Sequence, residues 1–285
     1  MDGRRGYREL ATEGAVSAAV RSVRSACWLR SHGRNGRAAL AATRSAEELD
    51  GLLLRPLARQ LGDRPLVLVP TGALHVVPWA ELPSCAGRAV TVAPSVSSWL
   101  RAIRLAREAD TGERVWIAGP GLANAEAEVL ALRAKYGGRA LSGAAALRTA
   151  ALSAMDGAGL VHVAAHGRFR EDRPEHSSIE LADGPLHGYD VCRLRTAPRR
   201  IVLASCESGL SVARPGAEVL GLAAELLRLG TATVLASVLP VPDDRALAVV
   251  AALHDNLAAG QPPAAALAAA QQAEGQLGFI CLGAG

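Results

Sequence analysis

The sequence predicts an α/β domain in which a mostly parallel sheet carries helices on both faces. Three observations lead there. Short all-apolar runs recur along the 285 residues, among them PLVLVP (65–70), RVWIAGP (114–120), GLVHVAAHG (159–167), RIVLASCESG (200–209) and TATVLASVLPV (231–241). These runs lack the in–out alternation of a half-exposed strand, as strands buried on both faces do. Between them lie stretches of helical length and period, the pattern of βαβ units.

In chain order, SAEELDGLLLRPLARQL (45–61) reads as an amphipathic helix, with Ser45 as N-cap and Glu48 at the capping-box spacing. The first apolar strand, 65–70, follows between prolines. TGALHVVPWAELP (71–83) is a loop of turn formers, RAVTVAPS (88–95) a second strand, SVSSWLRAIRLAREAD (95–110) a helix and RVWIAGP a third strand. AEAEVLALRAKYG (125–137) is a helix ending at a Gly pair suited to a C-cap. After the 159–167 strand comes a polar connector, 168–200, hairpin-like around IELADGPLHG (179–188). The 200–209 strand leads to the helix GAEVLGLAAELLRLG (216–230), then to the 231–241 strand and two Ala-rich helices, 243–259 and 262–274. Sites in such sheets form at the carboxyl ends of the strands. The residues just past each apolar run therefore carry the functional argument.

Composition removes several classes. Half the residues are hydrophobic, enough for a sizeable core; aromatics are 3%, so that core is built from Ala, Leu and Val. No charge-free apolar run reaches membrane-spanning length, and MDGRRGYREL lacks a signal-peptide core, which favours a cytoplasmic protein. The five cysteines are irregularly spaced, without a Cys-x-x-Cys pair, against a zinc ribbon or a disulfide framework. All but one of the basic residues are Arg, Lys135 being the exception, and Ala is abundant, a bias of GC-rich bacterial genomes. Residues 1–44 carry a surplus of six positive charges. They are read as a basic N-terminal arm, partly helical or disordered, ahead of a main domain at 45–285. Lacking regularly spaced aromatics, the arm reads as a solvated lead-in, and nucleic acid is not directly expected as a partner.

Two strand ends stand out. One closes in Ala165-His166-Gly167, the other in Ser205-Cys206-Glu207-Ser208-Gly209. If the two strands are neighbours, His166 and Cys206 emerge side by side. A thiol beside an imidazole supports nucleophilic acyl transfer, the His assisting thiolate formation and later protonating the leaving amine. The N–H groups of Gly167 and Cys206 are then candidate oxyanion donors. Taken alone, either residue is as well explained as a core or capping side chain. His162 and His166 stand four apart, but in a strand and without the zincin Glu, so neither a metal nor a cofactor is expected. His32 and His254 read as surface residues and His75 as ordering its loop. His176 and His187 flank the connector where substrate would run.

These blocks resemble the CHAT family of caspase- and separase-like cysteine peptidases. The similarity runs through VPTGALHVVPWAEL (69–82), HVAAHGRF (162–169), SSIELADGPL (177–186), VLASCESGL (202–210), GAEVLGLAAELLRLGTATVLASV (216–238) and FICLGAG (279–285). The resemblance implies a three-layer α/β/α, caspase–haemoglobinase-like fold with Cys206 as nucleophile and His166 as general base and acid. Glu218 and Gly221 resemble the separase pattern after the cysteine. VPDD (241–244) resembles the separase segment whose Asp lines the S1 pocket, making Asp243, then Asp244, candidates for a basic P1 side chain. Pro-Asp-Asp is equally a good helix N-terminus. Leu239 stands where many relatives have Trp. The expected activity is endopeptidase cleavage of a protein substrate, latent until a partner acts, with a separate sensor or TPR-type activator. The alternatives are a catalytically weak protein-interaction module on the same fold and a non-peptidase acyltransferase or hydrolase using the same pair.

Overall fold

The computed structural model describes residues 6–32, 36–108, 112–168, 176–204, 217–239, 241 and 243–285. Its centre is an eight-stranded sheet with the order β1-β2-β11-β10-β9-β5-β3-β4. The strands are β1 (Leu66–Leu68), β2 (Val90–Val92), β3 (Arg114–Ala118), β4 (Arg139–Leu141), β5 (Leu160–Ala164), β9 (Arg200–Leu203), β10 (Thr233–Ser237) and β11 (Phe279–Gly283). Neighbours pair in parallel except β10 with β11. The block from β10 to β4 therefore points one way, and β1, β2 and β11 point the other. A small antiparallel sheet, β6 (Gly167–Arg168), β7 (Ser178–Leu181) and β8 (Gly184–His187), grows from the end of β5.

The two cores explain why the strands are apolar throughout. Val161, Val163, Ile201, Leu203, Val234 and Ala236 face one core; Leu160, Ala164, Val202, Ala204 and Leu235 face the other. Successive strand residues point to opposite faces, so burying both faces removes the polar alternation. The first core is closed by Val20 of α1 (Glu13–His32), Leu49 of α2 (Gly36–Leu53), Met155 of α6 (Arg148–Met155) and Leu226 of α8 (Ala217–Leu229). The second is closed by Val129 of α5 (Ala125–Tyr136), Leu253 of α9 (Asp243–Ala258) and Leu267 of α10 (Pro263–Glu274). The architecture is the expected three-layer α/β/α arrangement.

Several elements differ from the sequence reading. The helix expected at 45–61 begins at Gly36 and ends at Leu53. Ser45 is not a cap; its hydroxyl lies mid-helix, 2.9 Å from that of Ser22 on α1. The Ala-rich run upstream has the highest helix propensity available and carries the helix past Ser45. The inner face of α1 enters the core through Val20, Val23 and Cys27. Between 138 and 158, where the pattern assigned nothing, stand the short edge strand β4 and α6. The 71–83 loop folds into 3-10 turns at Gly72–Val76, Trp79–Glu81 and Pro83–Cys85.

His254 is corrected most sharply. It is buried, not on the surface, with its Nε2 3.2 Å from His162 Nδ1, while His162 Nε2 lies 2.8 Å from Glu128 Oε1. Trp116 packs edge-on against His254, its ring centre 5.3 Å away, and donates its own N–H to Gly137 O at 2.7 Å. This polar group ties α5, β5 and α9 together inside an apolar layer.

Burial, aided by His162, holds the His254 pKa well below the ordinary imidazole value. An unfolded His titrates near ~6.5, so between the two values the unfolded chain binds the extra proton. Stability is therefore full above about pH 6.5 and falls as pH drops below it, by up to about 1.4 kcal/mol per pH unit for one proton. Half-buried His75, lowered by desolvation, acts in the same direction. Urea unfolding from pH 7 to 5 is expected to show this loss, and His254→Gln to flatten it.

Candidate active site

β5 and β9 are hydrogen-bonded neighbours in parallel, with Val163 opposite Leu203. The ladder continues to Ala204, whose N–H donates to Val163 O at 2.9 Å. His166 follows Val163 by three positions, and Cys206 follows Leu203 by three. β5 and β9 therefore end side by side and at the same level. Cys206 and its loop lie outside the described residues, as does its N–H as an oxyanion donor.

The chain turns after β5 so that half-buried His166 sits between β5 and β6. Its carbonyl accepts from Glu180 N–H at 2.8 Å. That bond makes Gly167–Ile179, the next cross-strand pair, a non-hydrogen-bonded one. The Gly167 N–H is therefore directed away from β7.

The sequence reading missed Gly119 and Gly121. Gly119 N–H donates to Ala164 O at 2.8 Å, carrying the β3–β5 ladder to the base of the site. A Cβ on Gly119 would lie 2.4 Å from Glu180 O and 2.6 Å from Ala165 Cβ, which no side chain fits. Gly121 has φ +84°, and a Cβ there would come within 3.2 Å of His166 Nε2. The loop after β3 thus runs against the imidazole edge. The signal was present in the Gly-Pro-Gly at the carboxyl end of an apolar strand.

Asp243 and Asp244 open α9, the helix after β10, so the residues named for S1 follow the strand beside β9. Their side chains lie outside the described residues. Leu239 is buried, with Gly278 packed so closely that a Cβ there would come within 2.7 Å of it. His176, His187 and Tyr189 form a ring cluster on the small sheet: His187 stacks on Tyr189 at 4.8 Å, and His176 meets Tyr189 edge-on at 5.4 Å.

Burial pushes the thiols of Cys27, Cys85 and Cys281 up to about 12, which leaves them unreactive at neutral pH. Cys192 is exposed, its sulfur 3.2 Å from Arg228 Nη2 and 3.5 Å from Glu225 Oε2. Among the described residues, no cluster of three or more His, Cys, Asp and Glu is placed to hold a metal ion, and no helix is long and apolar enough to cross a membrane.

Residues 43–276 match the CHAT domain family. This chain belongs to the CHAT family. Its fold is similar to solved structures of the Saccharomyces cerevisiae separase–securin complex. One superposes with a TM-score of 0.58 at 14% identity, covering 77% of this CHAT chain and 15% of that chain. A second gives 0.57 at 12% identity, covering 77% and 16%. The CHAT chain thus spans only a small part of the proteins whose fold it shares. No curated protein matches the sequence.

The two glycines are expected to respond differently to Ala. Gly119→Ala drives a methyl into backbone and should cost about 3 kcal/mol in urea unfolding. Gly121→Ala should cost only about 1–2 kcal/mol of backbone strain but displace the imidazole, read as a shift of the His166 ring resonances in NMR.

Proposed function

We propose that the chain is a cysteine endopeptidase of the CHAT type, with Cys206 as nucleophile and His166 as its base and acid. The observation that carries this reading is the common register of β5 and β9, in which the paired Val163 and Leu203 stand three residues before His166 and Cys206 in the sequence. The proposed reaction starts with His166 taking the thiol proton. The Cys206 sulfur then bonds to the scissile carbonyl carbon, and the oxyanion is held by the Gly167 and Cys206 N–H groups. Such donors contribute about 3–4 kcal/mol each. As the C–N bond breaks, the imidazolium gives its proton to the leaving amine. Water, deprotonated by His166, attacks the thioester and releases the carboxylate product, restoring the thiol.

Asp243, with Asp244 beside it, is proposed to hold a basic P1 side chain. Support comes from the place of α9 directly after β10, next to the strand that precedes the nucleophile. The proposed setting is a bacterial cytoplasm; the unpaired buried cysteines suit a reducing compartment. We also propose a protein partner, a separate sensor or TPR-type activator, that releases latent activity. Support for a protein partner is that the separase of the structural neighbours is held in complex with securin.

Labelling by peptidyl acyloxymethyl ketones, read by intact mass, tests the dyad. Wild type is expected to label at Cys206, Cys206→Ala not at all, and His166→Ala at least ~100-fold more slowly, the scale of a general-base contribution. Iodoacetamide reads the dyad in the latent state, with exposed Cys192 as the internal reference thiol. A Cys206 that reacts no faster than Cys192, whether or not His166 is present, would move the assignment to the interaction module. With probes differing only at P1, Asp243→Ala is expected to erase a preference of about tenfold or more for Arg and Lys over Met; an unchanged preference would remove Asp243 from the pocket.

A further inference from the structure

The helix α1 precedes the matched family region, which begins at residue 43. Its inner face is nevertheless core, and from that face Arg24, only 9% exposed, reaches across the fold. One guanidinium nitrogen, Nη1, donates to two backbone carbonyls: Val76 O at 2.7 Å and Val238 O at 2.9 Å. Val76 ends the 3-10 turn at Gly72–Val76, and Val238 is the first residue beyond β10.

The second contact bears on the site. β10 pairs in parallel with β9, Ala236 opposite Leu203. Val238 follows Ala236 by two positions and so lies just past the paired end of β9, the strand that leads in sequence to Cys206. Arg24 therefore holds the backbone just beyond β10, beside the end of the strand that leads in sequence to the proposed nucleophile. The same stretch is fixed by Val238 N–H donating to Gly278 O at 2.9 Å and Leu239 N–H donating to Ser237 Oγ at 3.1 Å. From here the chain runs to Asp243 and Asp244 at the start of α9. A neutral side chain at position 24 would leave the buried Val238 carbonyl and the part-buried Val76 carbonyl without this donor, and buried acceptors rarely stay unpaired. The segment would then move until water or another donor reached them.

We propose that Arg24 is a positioning residue for substrate binding: from α1 it holds the segment beyond β10 that walls the site next to Cys206. The proposal rests on Cys206 and His166 being the dyad. It makes α1 a lever, since a displacement of that helix pulls on the segment through one side chain.

The test compares Arg24→Gln and Arg24→Lys with wild type in the full chain, by hydrogen–deuterium exchange and Cys206 labelling. In Arg24→Gln the Val238 and Leu239 amides are expected to exchange at least tenfold faster, with β3 and β5 unchanged and Arg24→Lys intermediate. Peptidyl-ketone labelling of Cys206 should fall at least tenfold, while iodoacetamide labelling stays within twofold of wild type. If Arg24→Gln does not fold, Arg24→Lys decides, with at least threefold faster exchange expected at the same two amides. Unchanged exchange there, a rise spread evenly over every strand, or equal losses with both reagents would overturn the proposal. The two readings fail separately. If wild-type Cys206 alkylates no faster than Cys192, the dyad fails and the substrate role of Arg24 with it. If the dyad holds and the two amides do not respond, the Arg24 proposal alone fails.

Discussion

The parallel pairing of β5 with β9 is the constraint on which the site depends. Each residue of β5 faces the residue forty positions later in β9, from Leu160 opposite Arg200 to Val163 opposite Leu203. His166 and Cys206 are separated by the same interval. A slip of one residue in either strand would turn every side chain to the opposite face and put the two strand ends out of step. Apolar residues alone resist such a slip weakly here, because both faces are buried and both accept Val, Leu or Ala. His162 resists it better. In register it meets Glu128 and His254; one residue out, the imidazole would be turned into the other core, away from both partners. A buried polar group that finds partners in only one register specifies that register more sharply than any methyl group does.

The reversal between β10 and β11 sets the limits of the site. Strands from β10 to β4 deliver their carboxyl ends to one edge; β11, β2 and β1 deliver theirs to the other. Residues immediately following β3, β5, β9 and β10 can therefore meet, whereas those following β1 and β2 start from the opposite edge; Val76, beyond β1, reaches the β10 end only by way of its loop, where Arg24 bridges it to Val238. This accounts for the residues that share this edge: Gly119 and Gly121 after β3, His166 and Gly167 after β5, Val238 and Leu239 after β10. It also accounts for the small sheet, since β6 begins where β5 ends and holds the Gly167 N–H clear of β7.

Much of this was legible in the sequence, for a physical reason. A parallel strand covered on both faces is written as a continuous apolar run, and a residue placed just beyond such a run is placed on the site edge. His166 and Gly167 were placed at the end of β5 that way, whereas Asp243 and Asp244 were named from the family resemblance. The boundaries of α2 were not legible, because Ala-rich helix propensity overrode a capping pattern at Ser45. The burial of His254 was not legible either. In a helix as Ala-rich as α9 the apolar stripe has no contrast, so the face turned to the sheet cannot be told from its opposite.

Arg24 marks the deeper boundary of what one sequence carries. Its two carbonyl partners belong to residues 52 and 214 positions away, and the atoms they offer are backbone. A carbonyl acceptor is the same at every residue, so neither Val76 nor Val238 leaves a trace of the contact in its side chain. The only local sign is an Arg on the inner face of an amphipathic helix, a place where a cation persists only with partners. Gly119 is the contrary case. Its role rests on a close approach that a Cβ would forbid, and that requirement is visible in the residue itself. Contacts that demand a particular side chain can be read from sequence, while contacts made to the backbone become visible only when the chain is folded. At this edge of the sheet the two kinds act together, one packing Gly119 against Ala165 and the other holding the backbone beyond β10.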